Sequence, residues 1–241
     1  MSHHILIIGG TSGTGRELAA RYAERGASVV IAGRDAERAH KAAAEINAAT
    51  AHNAADGTRG AVRGIAVDLS EPEGIAGSLS EIDHVDSLVL AGVHRDRNTL
   101  RDYDTGRAKE LVTVKLVGYT EAIHVLRTRI SPTGSVLVFG GIAKDAPYPG
   151  STTVTMANAA VVGMVTTLSR ELAPIRVNAV HPGAVEDSPY WIGNKAVLEP
   201  ARASTLTGTL PTMRDIVDGC VFLLSNPAVN GVHLTIDGGR A

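Results

Sequence analysis

Short β-branched apolar runs alternate along the chain with longer alanine-rich stretches in which apolar residues recur every three or four positions. The runs at 5–8, 28–32, 63–67, 87–91, 135–139, 176–180 and 233–236 predict seven strands. They are almost continuously apolar rather than alternating, so both sheet faces should be covered. The helical periodicity falls at 15–25, 36–49, 106–129, 152–172 and 214–224. This order predicts an α/β chain, a doubly wound seven-stranded parallel sheet with helices on both faces. Residues 50–60, rich in Asn, Asp and Gly, read as a surface loop. Residues 186–211 are too long for a routine connector and carry Pro189, Trp191, Gly193 and Pro200, which suits a substrate lid.

Length and composition narrow the picture. With 241 residues and 44% hydrophobic content, residues 1–241 fit one domain with one sizeable core. A formal charge of −2, from 23 basic and 25 acidic residues, disfavours nucleic acid or an anionic membrane as partner. The densest charged stretch, 95–107, alternates Arg with Asp and reads as a solvated loop. Cys220 is the sole cysteine and falls on an apolar helix face, which suits core packing. The nine histidines show no HxxxH or HxH spacing, so no metal site is expected. No apolar run approaches the roughly 20 residues that span a bilayer, and residues 1–4 lead straight into a strand without room for a signal peptide. A soluble, cytoplasmic protein is the expectation.

The first strand runs into Gly9-Gly10-Thr11-Ser12-Gly13-Thr14-Gly15 and then a helix. Backbone N–H groups and the positive helix end would meet a pyrophosphate there. Gly9 and Gly13 allow positive φ and close approach of phosphates, and Gly15 allows tight helix packing. The second strand ends in Gly33-Arg34. An NAD site usually places a carboxylate here against the ribose 2′-hydroxyl, whereas a guanidinium suits a 2′-phosphate, so NADP is the expected cofactor. Thr11 and Ser12 offer hydroxyl donors, and Arg38 would help if its helix turned inward.

With the glycine-rich turn, further segments resemble the short-chain dehydrogenase/reductase family over essentially the whole chain. Val67-Asp68-Leu69 is similar to the segment whose Asp caps the adenine ring. Leu90-Ala91-Gly92-Val93 resembles the Asn-Ala-Gly turn after the fourth strand, with Leu90 in place of asparagine. Arg176-Val177-Asn178-Ala179-Val180-His181-Pro182-Gly183 resembles the strand and Pro-Gly turn that border the nicotinamide, and residues 231–239 resemble the last strand. The resemblance implies a cofactor site built from Gly9, Thr11, Ser12, Gly13, Thr14, Gly15, Arg34, Asp68, Leu69, Ala91, Gly92, Pro182, Gly183 and Val185. It also implies a homodimer or homotetramer through the helix at 152–172, where Ala157, Ala159, Ala160 and Gly163 permit close packing.

The family's chemistry uses a tyrosine as proton donor, a lysine that lowers its pKa, a serine that orients the carbonyl and an asparagine in a proton relay. Here the resemblance puts Val154 at the tyrosine position, Asn158 at the lysine, Gly141 (or Gly140) at the serine and Lys115 at the asparagine; a threonine position falls on Asp187, beside Ser188. Loss of general acid help costs about 10² to 10⁴ in rate. Lysine and asparagine thus look exchanged, which makes Lys115 the candidate local charge and proton donor, with Asn158 and Tyr148 as further catalytic candidates. His94, Lys144, Asp145, Tyr190 and Trp191 are other polar neighbours, each more simply read as surface or packing residues. The expected activity is an atypical NADP(H)-dependent oxidoreductase acting on a small, electron-poor carbonyl, quinone, enone or imine. The alternatives are a non-redox enzyme of the same fold (dehydratase, isomerase or cyclase) and a catalytically silent NADP-binding module.

Overall fold

The computed structural model describes residues 3–50 and 60–240. Seven strands, β1 (His4–Ile8), β2 (Ser28–Gly33), β3 (Val62–Ala66), β4 (Val85–Leu90), β5 (Ile130–Phe139), β6 (Arg176–Pro182) and β7 (His233–Ile236), form one parallel sheet in the order β3-β2-β1-β4-β5-β6-β7. The strand order reverses between β1 and β4, so the chain winds outward in both directions from a crevice at their C-terminal ends. That switch point is where doubly wound sheets bind ligands.

Two apolar layers sandwich the sheet. On one face Leu6, Ile8, Leu88 and Leu90 pack with Tyr119, Ile123, Val161 and Val165. On the other, Ile5, Ile7, Val29 and Ile31 pack with Leu18, Ile46, Ile216 and Cys220. Alternate residues of one strand therefore serve opposite layers, which is why the strands read as unbroken apolar runs. Cys220 is fully buried, and burial pushes its thiol pKa up, as a packing residue requires.

The helices are α1 (Gly13–Glu24), α2 (Ala36–Thr50), α3 (Pro72–Ser78), α4 (Thr105–Val112), α5 (Tyr119–Leu126), α6 (Thr152–Glu171), α7 (Lys195–Ala203) and α8 (Met213–Ser225). Several expectations need correction. The single helix expected at 106–129 is two helices joined by a π-helical turn, Thr113–Gly118. Gly118, the last residue of this turn, lets the Asp68–Leu69 turn approach closely, because a Cβ there would collide with the carbonyl of Leu69. Helix α3 was not foreseen, and its seven residues bury only Ile75. The 186–211 segment contains α7, despite Pro200 inside that helix. Of the 50–60 loop, residues 51–59 lie outside the described residues, and Thr50 ends α2.

The 95–107 stretch is not simply solvated, because Asp96 and Asn98 are buried. Asn98 Nδ2 donates to Asp96 Oδ2 (2.9 Å) and the Asp104 carbonyl (3.0 Å), and Asn98 Oδ1 accepts from the Asp104 N–H (2.8 Å). Its backbone pairs with Gly150 and Thr152, stapling the loop to the start of α6. By length and composition α6 would suffice to cross a bilayer, contrary to the expectation that no segment would. It buries Ala157, Val161 and Val165 and packs on β6.

Candidate active site

The β1–α1 turn is shaped by collisions that any side chain would cause. Gly9 has φ +96°, and a Cβ there would run into the backbone of Ala91–Gly92; one on Gly15 would strike the Gly9 carbonyl. The turn after β4 and the turn after β1 therefore touch, forming the floor of the crevice. Gly13, at φ +56°, faces open space, with Pro189 of the 186–211 segment as its nearest neighbour at 4.0 Å from an ideal Cβ.

These features fit a dinucleotide. No acidic residue occupies the first turn of α1, and the Ser12 hydroxyl makes no capping hydrogen bond, so N–H groups and a hydroxyl are left for an anion. Across the cleft the Ser188 hydroxyl is buried without a partner among the described residues. Asp68 is held at the end of β3 by the Ser70 N–H (2.9 Å) and hydroxyl (2.6 Å), while Leu69 covers Gly92. Gly92 is pinned from below by the buried Tyr119 hydroxyl, which donates to its carbonyl at 2.5 Å. Pro182 ends β6 and Gly183 follows it at the same end of the sheet, Gly183 against Asp237, and Val185 is buried.

Arg34 projects from the end of β2, its side chain 67% exposed and 3.9 Å from Glu110 Oε1. Thr11 packs its methyl on Gly33 beside it. Arg38 does not turn inward: its side chain is exposed, and its N–H donates to Asp35 Oδ1 (2.7 Å) as part of the start of α2. Glu110 also holds His94 Nδ1 at 2.9 Å.

The polar side chains converge on the Gly140–Gly141 elbow after β5. Lys115, in the π-helical turn, is only 4% exposed and donates from Nζ to the Gly140 carbonyl at 3.4 Å. Its ammonium lies 5.8 Å from the Tyr119 ring centroid, within cation–π range. Burial without a carboxylate partner lowers its pKa from the usual lysine value to about 8. Asn158, buried on α6, lies beside Gly141, where an added Cβ would meet Asn158 Nδ2 at 2.7 Å. Glycine at 141 and asparagine at 158 are thus mutually dependent: a serine at 141 would have to displace the amide.

His181, fully buried on β6, completes the cluster and was legible only as part of the Pro-Gly motif. It fills the space over Gly140 and accepts the Gly141 N–H at Nδ1 (3.2 Å). Neutral His181 therefore carries its proton on Nε2, which faces His233 Nδ1 at 3.2 Å. Burial, together with the nearby Lys144 and His233, holds the His181 pKa down at about 4.

Tyr148 lies farther out, half-exposed, on the wall of a 410 Å³ cleft with Thr99, Leu100, Ser151 and Thr155. Its pKa is raised by partial burial and by Tyr190. Arg95 caps the Tyr190 ring at 3.1 Å and Tyr190 packs edge-on against Trp191, so the 95–107 loop meets the 186–211 segment over the cleft. Asp187 Oδ1 accepts the Met213 N–H (2.7 Å), tying that segment to the start of α8. Lys144 pairs with its neighbour Asp145. Val154 lies one turn before Asn158 on α6.

Comparison with known proteins agrees with this architecture. The family model described as enoyl-(acyl carrier protein) reductase matches residues 9–241. A short-chain dehydrogenase/reductase of Acremonium sp is 27% identical, over 98% of this chain and 94% of its own. Carbonyl reductase family member 4 of Xenopus tropicalis is 28% identical, over 97% and 95%. Among solved structures, a short-chain dehydrogenase from Burkholderia cenocepacia in complex with NADP superposes with a TM-score of 0.83 at 26% identity, covering 98% of this chain and 97% of that one. With the glycine-rich crevice, the parallel sheet and these relatives in agreement, the chain belongs to the short-chain dehydrogenase/reductase family of oxidoreductases, which bind nicotinamide cofactors.

Proposed function

We propose that this chain is an NADP(H)-dependent oxidoreductase in which Lys115 takes the proton-donating part that the family gives to tyrosine. The observation that carries the proposal is the buried Lys115 ammonium at the Gly140 carbonyl, with a pKa of about 8. An ammonium of that acidity is a better proton donor than an unperturbed phenol, whose pKa is about 10. NADPH, when bound, supplies the hydride. Lys115 Nζ–H then passes a proton to the oxyanion that develops on the substrate, and the neutral amine is recharged from solvent. Asn158 and the Gly141 backbone stand at the same elbow and orient the acceptor, and Tyr148, on the wall of the neighbouring cleft, contributes to the path by which substrate enters.

Arg34 supports NADP over NAD, because an exposed guanidinium 3.9 Å from its nearest carboxylate is available to a 2′-phosphate. The NADP complex of the Burkholderia relative is consistent with that preference. The substrates that suit a single lysine donor are small and electron-poor, such as quinones or conjugated enones. Hydride addition to these builds less charge on a poorly stabilised oxygen.

The test is loss of NADPH absorbance over a panel of quinones and enones, with Lys115→Met beside the wild type. Wild-type consumption should fall about 10²-fold or more in the variant while dinucleotide affinity stays within about threefold. Equal turnover in Lys115→Met would remove the lysine from the chemistry. Substrate conversion without NADPH consumption would replace the redox reading with a non-redox one.

A further inference from the structure

The end of the sheet opposite the crevice carries a second cluster of chemistry-bearing side chains. β1 and β4 pair in parallel with Ile5 beside Ser87, which sets His4 next to Asp86 across the two strands. His84, immediately before β4, reaches the same carboxylate. His3 projects the other way, bonding Ser87 Oγ and stacking on Tyr22.

The resulting trio is close. His84 Nε2 lies 3.0 Å from Asp86 Oδ1, His4 Nδ1 lies 3.7 Å from Asp86 Oδ2, and the three ligand atoms all fall within 4.8 Å of one another. Around a tetrahedral zinc with bonds of about 2.0 to 2.1 Å, neighbouring donors stand about 3.3 Å apart. Small rotations of the imidazoles would bring the set to that spacing, because the carboxylate is already anchored: its Oδ2 accepts the His4 N–H at 2.8 Å. Both imidazoles are about half exposed, so an ion can reach them. The adjoining cavity, about 220 Å³, is lined by Glu81 and Asp83 as well as His4 and His84, with Arg63 as the opposing cation. Spacing along the chain hides this trio because about 80 residues separate His4 from its partners.

We propose that His4, His84 and Asp86 form a divalent transition-metal site, most suited to Zn²⁺, with water in the fourth position. Two borderline imidazoles and one carboxylate, on β1, just before β4 and on β4, match zinc better than magnesium or calcium, which call for oxygen donors. The ion would clip the start of β1 to the start of β4, far from the dinucleotide crevice, as a structural rather than a catalytic element.

The test is titration of the chelator-treated full-length protein with ZnCl₂ by calorimetry, with Co²⁺ as a spectroscopic probe. One equivalent should bind with micromolar affinity, the melting temperature should rise, and Co²⁺ should give a visible ligand-field band. His84→Gln and Asp86→Asn should each weaken binding at least about tenfold and abolish the band, while His40→Ala, on exposed α2, should change neither. Absence of Zn²⁺ binding, or binding unaltered in both site variants, overturns the proposal. Circular dichroism of each variant without metal shows whether a loss is local to the site, since neither change touches the core.

Discussion

Lys115 and His181 are opposite answers to the same burial. Both groups lose water, and in both the charged form is disfavoured, but only the lysine is given a proton to pass on in the proposed reaction. His181 must stay neutral, because its Nδ1 lone pair accepts the Gly141 N–H. Its folded pKa of about 4 lies below the ordinary histidine value of 6.5, so as pH falls the unfolded chain takes up the proton first. The stability this contributes is complete above pH 6.5 and is lost as pH falls towards 4, to a limit of about 3 kcal/mol. Denaturant unfolding between those pH values should show that slope, and His181→Ala should flatten it; an unchanged slope would contradict the assignment. Asn98 makes a sharper structural prediction. Asn98→Ala strands the Asp104 N–H and takes a donor from one Asp96 oxygen, while the Asp104 carbonyl keeps the Ala108 N–H, and should cost about 1 to 3 kcal/mol by the same measurement.

At the scale of elements, what could be read from the chain followed from local physics, and what could not followed from contacts between distant segments. The seven strands were legible because each is buried on both faces, so apolar runs of β-branched residues mark them without ambiguity. The glycine-rich turn was legible too, since Gly9 and Gly13 adopt the positive φ that such a turn requires. The π-helical turn was not, because every residue from 105 to 126 is compatible with an α-helix, and the close approach of Gly118 to Leu69 joins segments distant in sequence. Asp96 and Asn98 looked solvated for a related reason: their partners at 104, 150 and 153 are fixed only when the loop folds against α6. Lys115, Asn158 and Tyr148 could be named as candidates, but only the fold shows that the first two share the elbow and the third stands on the rim. Gly141→Ser tests that elbow. The new side chain would crowd Asn158, so it should lower activity at least about tenfold rather than restore a family-like serine. Wild-type turnover in the variant would show that the amide moves freely.

The whole molecule places its two ends to different uses: the C-terminal strand ends form the nucleotide crevice, and the N-terminal ends carry the His4–His84–Asp86 trio. The outer face of α6 exposes the small residues Ala159, Ala160 and Gly163. The expectation of a homodimer or homotetramer is tested by Ala160→Trp, which should shift the mass measured by light scattering towards the monomer; an unchanged mass would move the interface elsewhere. Proton donation by Lys115 is the step on which the proposed reaction rests. Its most direct test is the pH dependence of NADPH-dependent reduction by the wild-type enzyme. Because only the ammonium donates, kcat should fall as pH rises through about 8, with no such limb in the residual activity of Lys115→Met. A profile that is level across that range, or one with the same limb in both proteins, would contradict it.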